Sequence, residues 1–268
     1  MPPLPEFHLH GDVLSLALIL AVGYWYADRR LRAVLAPTSP GVTGAQRARW
    51  YAGVLVLWIA SGWPVHDLAE ETLFTFHMVE HLLIGYVVPP LLLTGIPRWL
   101  ADATIGRVAR VIRPLAHPAV AFFVFNGALV LLHWPEAVTW QNTIEATHFL
   151  FHALMFAAGI LMWLPVFSPT PAIPRLAPPM RMLFLFVNTI IPTVPASFLT
   201  FSSEALDPVY GDSAAAWGLS PIADQTIAGL IMKLGGGLYL LGVIAWIWFR
   251  WMADERRWDR VERDLAQG

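Results

Sequence analysis

The chain has 268 residues, of which 57% are hydrophobic and 13% charged, with a mean hydropathy of +0.57 and a formal net charge of −2. Soluble domains carry about 25% charged residues, so this composition excludes an ordinary soluble domain, and helix-length apolar runs favour helices over a barrel. The absence of cysteine excludes disulfides, thiolate metal sites and cysteine nucleophiles, so any metal must be held by histidine, methionine, carboxylate or carbonyl groups.

The expected fold is all-α: one integral-membrane domain, 1–268, forming a bundle of seven transmembrane helices. The opening Met1-Pro2-Pro3-Leu4-Pro5-Glu6 lacks a positive n-region and does not read as a cleaved signal peptide. The spans are expected at about 13–27, 50–63, 73–94, 118–134, 144–167, 182–201 and 225–251. A basic loop with Arg29, Arg30, Arg32, Arg47 and Arg49 follows the first, and an acidic stretch from Pro64 to Glu71 follows the second. The third carries Pro89 and Pro90, which should kink it or end its regular part. Arg98, Arg107, Arg110 and Arg113 fill the next loop, and Arg175 and Arg181 the proline-rich loop after span five. Span six holds Asn188, Pro192 and Pro195, which predict a break near 193–196. An acidic loop with Glu204, Asp207, Asp212 and Asp224 precedes span seven, and Arg256, Arg257, Arg260 and Arg263 close the chain. This alternation of basic and acidic loops sets the N-terminus outside and the C-terminus in the cytoplasm by the positive-inside rule.

Two stretches stand out inside the apolar runs, His77-Met78-Val79-Glu80-His81 and His148-Phe149-Leu150-Phe151-His152. Histidines four apart share one helix face, one turn from each other. Two such pairs on two spans predict convergence into one metal site of His77, His81, His148 and His152, with spans three and five packed together. On the expected topology only His117 of the nine histidines falls on the cytoplasmic side. His8, His10 and His66 are accounted for as amphipathic rings at headgroup depth. His133, Glu80, Glu145, Met155, Asp224 and Met232 are candidates for additional or supporting roles: Glu145 and Met155 share the histidine face of span five, and Glu80 can orient an imidazole. Both methionines read more simply as packing residues. Imidazole with thioether and no thiolate suits copper more than zinc, though imidazole alone suits both.

The first stretch is not a zincin motif, because its glutamate directly precedes the second histidine instead of following the first. Gly235-Gly236-Gly237 reads as close helix packing, not as a phosphate loop. Lys233, the only lysine, falls mid-span. It either snorkels or bonds to backbone freed by the prolines of span six, or it serves as a proton or anion partner.

From about Ser61 to Trp246 the chain resembles the CtaG family of cytochrome c oxidase assembly proteins. The resemblance rests on His77-Met78-Val79-x-His81-Leu82-Leu83, on Pro90-Leu91-Leu92 leading to Gly95-x-Pro97, and on His133-Trp134-Pro135. It rests also on His148-x-x-x-His152 leading to Gly159 and Trp163-x-Pro165, and on Asp224-Gln225 leading to Gly229-Leu230-Ile231-Met232. Within it, an amide is expected where Glu80 stands and an uncharged residue where Lys233 stands. The resemblance implies a multi-pass, non-catalytic factor of the bacterial inner membrane that matures the copper centres of a haem–copper oxidase. Its partners would be oxidase subunits and a copper carrier, with no nucleic acid. Two other readings of the histidines remain: a bis-histidine haem protein of electron transfer, and a metal transporter. Two haems one turn apart would collide, and the cytoplasmic half offers no ligands apart from Lys233.

Overall fold

The computed structural model describes residues 4–134, 137, 140, 145–206, 210 and 213–267. Their regular structure is all helical, with no strand among the described residues. Helix α1, Gly11–Tyr26, packs on α2, Gly44–Ala60. Tyr24 stacks on Trp50 with ring centroids 4.6 Å apart and donates to the Gly95 carbonyl at 2.9 Å. Thr43 and Gln46 start α2 with a reciprocal capping box. Helix α1 does not stop at Ala27: a π turn, Ala27–Leu31, and a last turn, Arg32–Leu35, carry it on. Arg29, Arg30 and Arg32 are therefore helical, not in a loop, because no proline intervenes before Pro37.

The stretch expected as an acidic loop also folds, as α3, Val65–Glu71. Next come α4, Phe74–Leu82, a π turn, Leu83–Val87, and α5, Val88–Gly95. Pro89 and Pro90 lack the N–H groups that would bond the preceding turn, and the π turn takes up this defect, so the helix continues. Two short helices follow, α6, Arg98–Ala103, and α7, Ala109–Leu115, before α8, Pro118–Leu132. Helix α9, Glu145–Phe167, packs on α8, α5 and the π turn between α4 and α5. At that crossing Gly159 lies so close that a Cβ there would sit 2.8 Å from the Gly85 carbonyl oxygen and 3.2 Å from Pro89 Cγ.

Span six divides into α10, Pro178–Val187, and α11, Thr193–Phe201. The break falls at residues 188–192, one turn before the expected 193–196. Pro192 obstructs the turn before it, whereas Pro195 sits in the first turn of α11, where its missing N–H needs no intrahelical partner. Asn126 of α8 donates to Asn188 at 2.9 Å, and Asn188 donates to the Phe184 carbonyl at 2.7 Å, within the break region. Helix α12, Pro221–Leu230, a π turn, Ile231–Gly235, and α13, Gly236–Gln267, complete the chain.

Among the described residues three helices are long and apolar enough to cross a membrane, Phe74–Gly95, Thr147–Phe167 and Pro221–Glu262. A fourth is counted if Ala109–Leu115 and Pro118–Leu132, bent by 73°, form one span. Large apolar side chains cover the outer surface, among them Phe123, Phe198, Phe201, Leu238 and Phe249. A surface of that kind is stable against hydrocarbon and not against water. Lys233 is exposed on the π turn of this last helix.

Candidate metal centre

The site is built from the first turns of α4, the adjoining α3 and the start of α9. Pro64 precedes α3, and the helical turn places His66 and Glu70 four residues apart on one face. Helix α3 packs on α4. His66 Nδ1 meets Glu80 Oε1 at 2.8 Å, and His66 Nε2 meets Glu70 Oε1 at 3.0 Å. A carboxylate oxygen can only accept, so both ring nitrogens donate and His66 is an imidazolium. Burial alone would lower its pKa, but the charge of Glu80 and the hydrogen bonds to Glu70 and Glu80 outweigh it, pushing His66 up to about 11. For Glu70, burial is likewise outweighed: the bonds from His148 and His66 hold its carboxyl well below the usual carboxylate range.

From the other side, α9 brings His148 Nε2 into contact with Glu70 and His152 Nε2 to 3.5 Å from Glu80 Oε1. His66, His148 and His152 each offer a ring nitrogen, and these atoms lie within 4.8 Å of one another. Glu80 is fully buried, and its second oxygen, Oε2, has no hydrogen-bond partner among the described residues.

Behind this triad lies a second group. The His81 ring is 5.5 Å from His152, 4.1 Å from His77 and 5.2 Å from His133. His133 Nδ1 lies 2.7 Å from the Leu129 carbonyl, which can only accept; Nδ1 therefore carries the proton and Nε2 the lone pair. Tyr210 donates its hydroxyl hydrogen to the Ala69 carbonyl at 2.8 Å, so towards His77 Nδ1, at 3.4 Å, it accepts. His77 Nε2 is thus also left with a lone pair. His77 Nε2, His133 Nε2 and His81 Nδ1 are all buried without a hydrogen-bond partner among the described residues. Buried polar atoms are rarely left so, and an array of them is what a cation would satisfy.

In front of the triad, His10 stands 4.8 Å from the His66 ring and pairs with Asp67 at 3.0 Å, and His8 approaches Asp67 at 3.6 Å. The N-terminal arm is held there by Trp63, whose indole donates to the Pro5 carbonyl at 3.2 Å. Imidazoles therefore run in an unbroken series from His10 through His66, His148, His152 and His81 to His77 and His133.

The two pairs expected to form one site approach each other at His81 and His152, ring centroids 5.5 Å apart, but among the described residues the ligand atoms that lie within 4.8 Å of one another belong to His66, His148 and His152, with His77 and His81 behind them. The reading of His66 and His10 as headgroup-depth rings is corrected: His66 is 7% exposed and central, because α3 folds it inward. Glu80 turns to His66 and His152, not to the His77 face. Asp224 is fully buried and accepts from Phe74 N at 2.7 Å, Thr75 N at 3.0 Å and Thr75 Oγ1 at 2.6 Å. It caps the helix that bears His77 and His81. Met155 and Met232 are in the main apolar core; a Cβ on Gly85 would meet Met155 Cε at 2.7 Å. The side chain of Glu145 lies outside the described residues, as do Asp207 and Asp212.

A family model described as cytochrome c oxidase caa3 assembly factor matches residues 22–254, which contain all of this array except His8 and His10. The chain belongs to this family. Membership of a family so described accords with the apolar helices of a membrane protein. The chain is 26% identical over 266 residues to uncharacterized proteins of Mycobacterium bovis and Mycobacterium tuberculosis, and 23% identical over 265 residues to one of Mycobacterium leprae. In each case 90% of the chain is covered, but it spans only 38% of the relative's length. No solved structure matches it.

Proposed function

We propose that this caa3 assembly factor is a multi-pass protein of the bacterial cytoplasmic membrane that holds copper for insertion into a haem–copper oxidase. Its N-terminus faces outward on this reading, which the arginine distribution supports. Copper is cargo here. The observation that carries the reading is the approach of His66, His148 and His152, whose ligand atoms lie within 4.8 Å of one another. The donors fit the metal: neutral imidazoles with buried lone pairs behind the triad, a carboxylate with an unused oxygen, and no thiolate. His66 must give up a proton to ligate, and Glu70 and Glu80 are placed to take it or to balance the cation. An oxidase subunit or a copper carrier would approach from the side of His10 and Asp67, where the series of imidazoles reaches the surface.

The haem reading has less support, because neighbouring rings 4.1–5.5 Å apart occupy the space that a porphyrin, roughly 10 Å across, would need. Zinc shares the imidazole preference and serves as the competing metal in the test. Purified wild type, His66→Ala, His152→Ala and His117→Ala are loaded equally with copper and analysed for bound metal. Wild type and His117→Ala should retain it, and His66→Ala and His152→Ala should lose most of it. Equal occupancy in all four would make the array structural, and a Soret band in the purified protein would favour haem.

A further inference from the structure

At the far ends of the histidine-bearing helices a cleft of about 870 Å³ is lined by Arg49, Arg98, Arg175, Arg181 and Arg250. Asp254 is the one acid among its lining residues. These arginines come from the start of α2, the start of α6, the loop after α9, the first turn of α10 and the middle of α13. Segments distant in sequence thus present their guanidinium groups to one space.

Three of the guanidiniums are held by the inner nitrogen. Arg49 Nε donates to the Thr94 carbonyl at 3.2 Å, Arg175 Nε to Ser168 at 2.5 Å and Arg181 Nε to Leu176 at 2.6 Å. Among the described residues their terminal nitrogens make no protein hydrogen bond, so the forked end of each group is left for a ligand. Arg250 lies over the Trp246 ring, 5.2 Å from its centroid. The rest of the wall is apolar, with Leu238, Tyr239, Val243 and Trp246 of α13. Leu238 is 66% exposed and Trp246 48% exposed, so this wall opens onto the surface that faces hydrocarbon.

A ligand for this cleft must carry negative charge at one end, in a geometry that forked donors can grip, and long apolar chains at the other. Planar guanidiniums match phosphate oxygens two at a time, and basic pockets between membrane helices select anionic headgroups. Inorganic phosphate would leave the apolar wall uncovered, and a zwitterionic lipid would bring a cation among the arginines. We propose that the cleft binds an anionic phospholipid, its phosphate held by the arginines and its chains lying along α13.

The test uses the full chain, stripped of lipid in detergent and offered an equal mixture of phosphatidylglycerol and phosphatidylcholine, with retained lipid counted by native mass spectrometry. Wild type should retain phosphatidylglycerol with a preference of at least about tenfold, since each well-placed arginine is worth about fivefold near a charged headgroup. Arg98→Gln/Arg250→Gln leaves all three Nε-to-carbonyl bonds intact and should lower that preference by at least about fivefold. Arg29→Gln/Arg30→Gln removes the same charge outside the cleft and should keep it. Arg175→Gln/Arg181→Gln should also lose the preference, with its melting temperature measured alongside. Equal retention of the two lipids by wild type, or an unchanged preference in Arg98→Gln/Arg250→Gln, would overturn the proposal. So would displacement of the lipid by excess inorganic phosphate, which would make free phosphate the ligand.

Discussion

Replacing Asp224 by Ala removes a cap that no neighbouring group can supply. The carboxylate accepts from Phe74 N at 2.7 Å, Thr75 N at 3.0 Å and Thr75 Oγ1 at 2.6 Å, while Leu73 at the N-cap position makes no side-chain cap bond. Phe74 is 3% exposed, so water cannot replace the lost acceptor there. Each buried donor left unsatisfied costs about 1–3 kcal/mol, and caps as a class contribute about 0.5–2 kcal/mol. Together these place the loss at about 2–4 kcal/mol, a melting shift of roughly 5–10 °C for a chain of this size. His77 belongs to the first turn of that helix, so fraying displaces it although Asp224 touches no imidazole in the described structure. Thermal unfolding of the purified protein in detergent measures the first effect, and copper retention after equal loading measures the second. Asp224→Asn, which keeps one acceptor oxygen, should fall between wild type and Ala on both. An Ala variant that melts at the wild-type temperature would refute the capping argument. One that melts early but keeps its copper would show that His77 does not depend on the cap.

Gly159→Val should destabilise the bundle by about 1–3 kcal/mol, because its Cβ alone would meet the Gly85 carbonyl at 2.8 Å and backbone must move; Gly127→Val, with open space around it, is the control, and unequal melting temperatures check the point. The raised pKa of His66 gives a pH dependence with a definite sign. Its contribution to stability is complete below about 6.5, the unfolded value, and is lost progressively as pH rises towards about 11, so metal-free protein should melt at lower temperature as pH increases from 6.5 to 9. Glu80→Gln should flatten that slope, and an identical slope in both proteins would contradict it. A reporter fused after Gly268 should be active only in the cytoplasm, and activity confined to the outside would overturn the orientation drawn from the arginines.

The convergence of α4 and α9 was readable because helical periodicity alone places His77 with His81 and His148 with His152. The centre of the cluster was not, since α3 is seven residues long and its polarity resembles a loop. One local signal was available: Pro64 followed by His66 and Glu70 at helical spacing, with Leu68 and Ala69 between them as an apolar pair. Asp224 lay beyond any such reading, because its partners are 150 and 149 residues away in sequence. The lone pairs of His77 and His133 depend on Tyr210 and on the Leu129 carbonyl, contacts that exist only once the chain is folded. The sixth segment was legible as broken but placed one turn late, since the proline disturbs the turn before itself.

The contact of Gly159 with Gly85 has a mechanical consequence. Backbone touches backbone there, so the two helices can neither approach further nor slide without lifting apart, and the crossing acts as a fulcrum. His152 stands seven residues from Gly159, an arm of about 10 Å at 1.5 Å per residue. A tilt of about 10° at such a fulcrum carries the imidazole through nearly 2 Å, roughly the length of one metal–nitrogen bond. The spacing between His152 and His81 is thus set by the crossing angle at Gly159 and Gly85, so a substitution that changes that angle also changes the array.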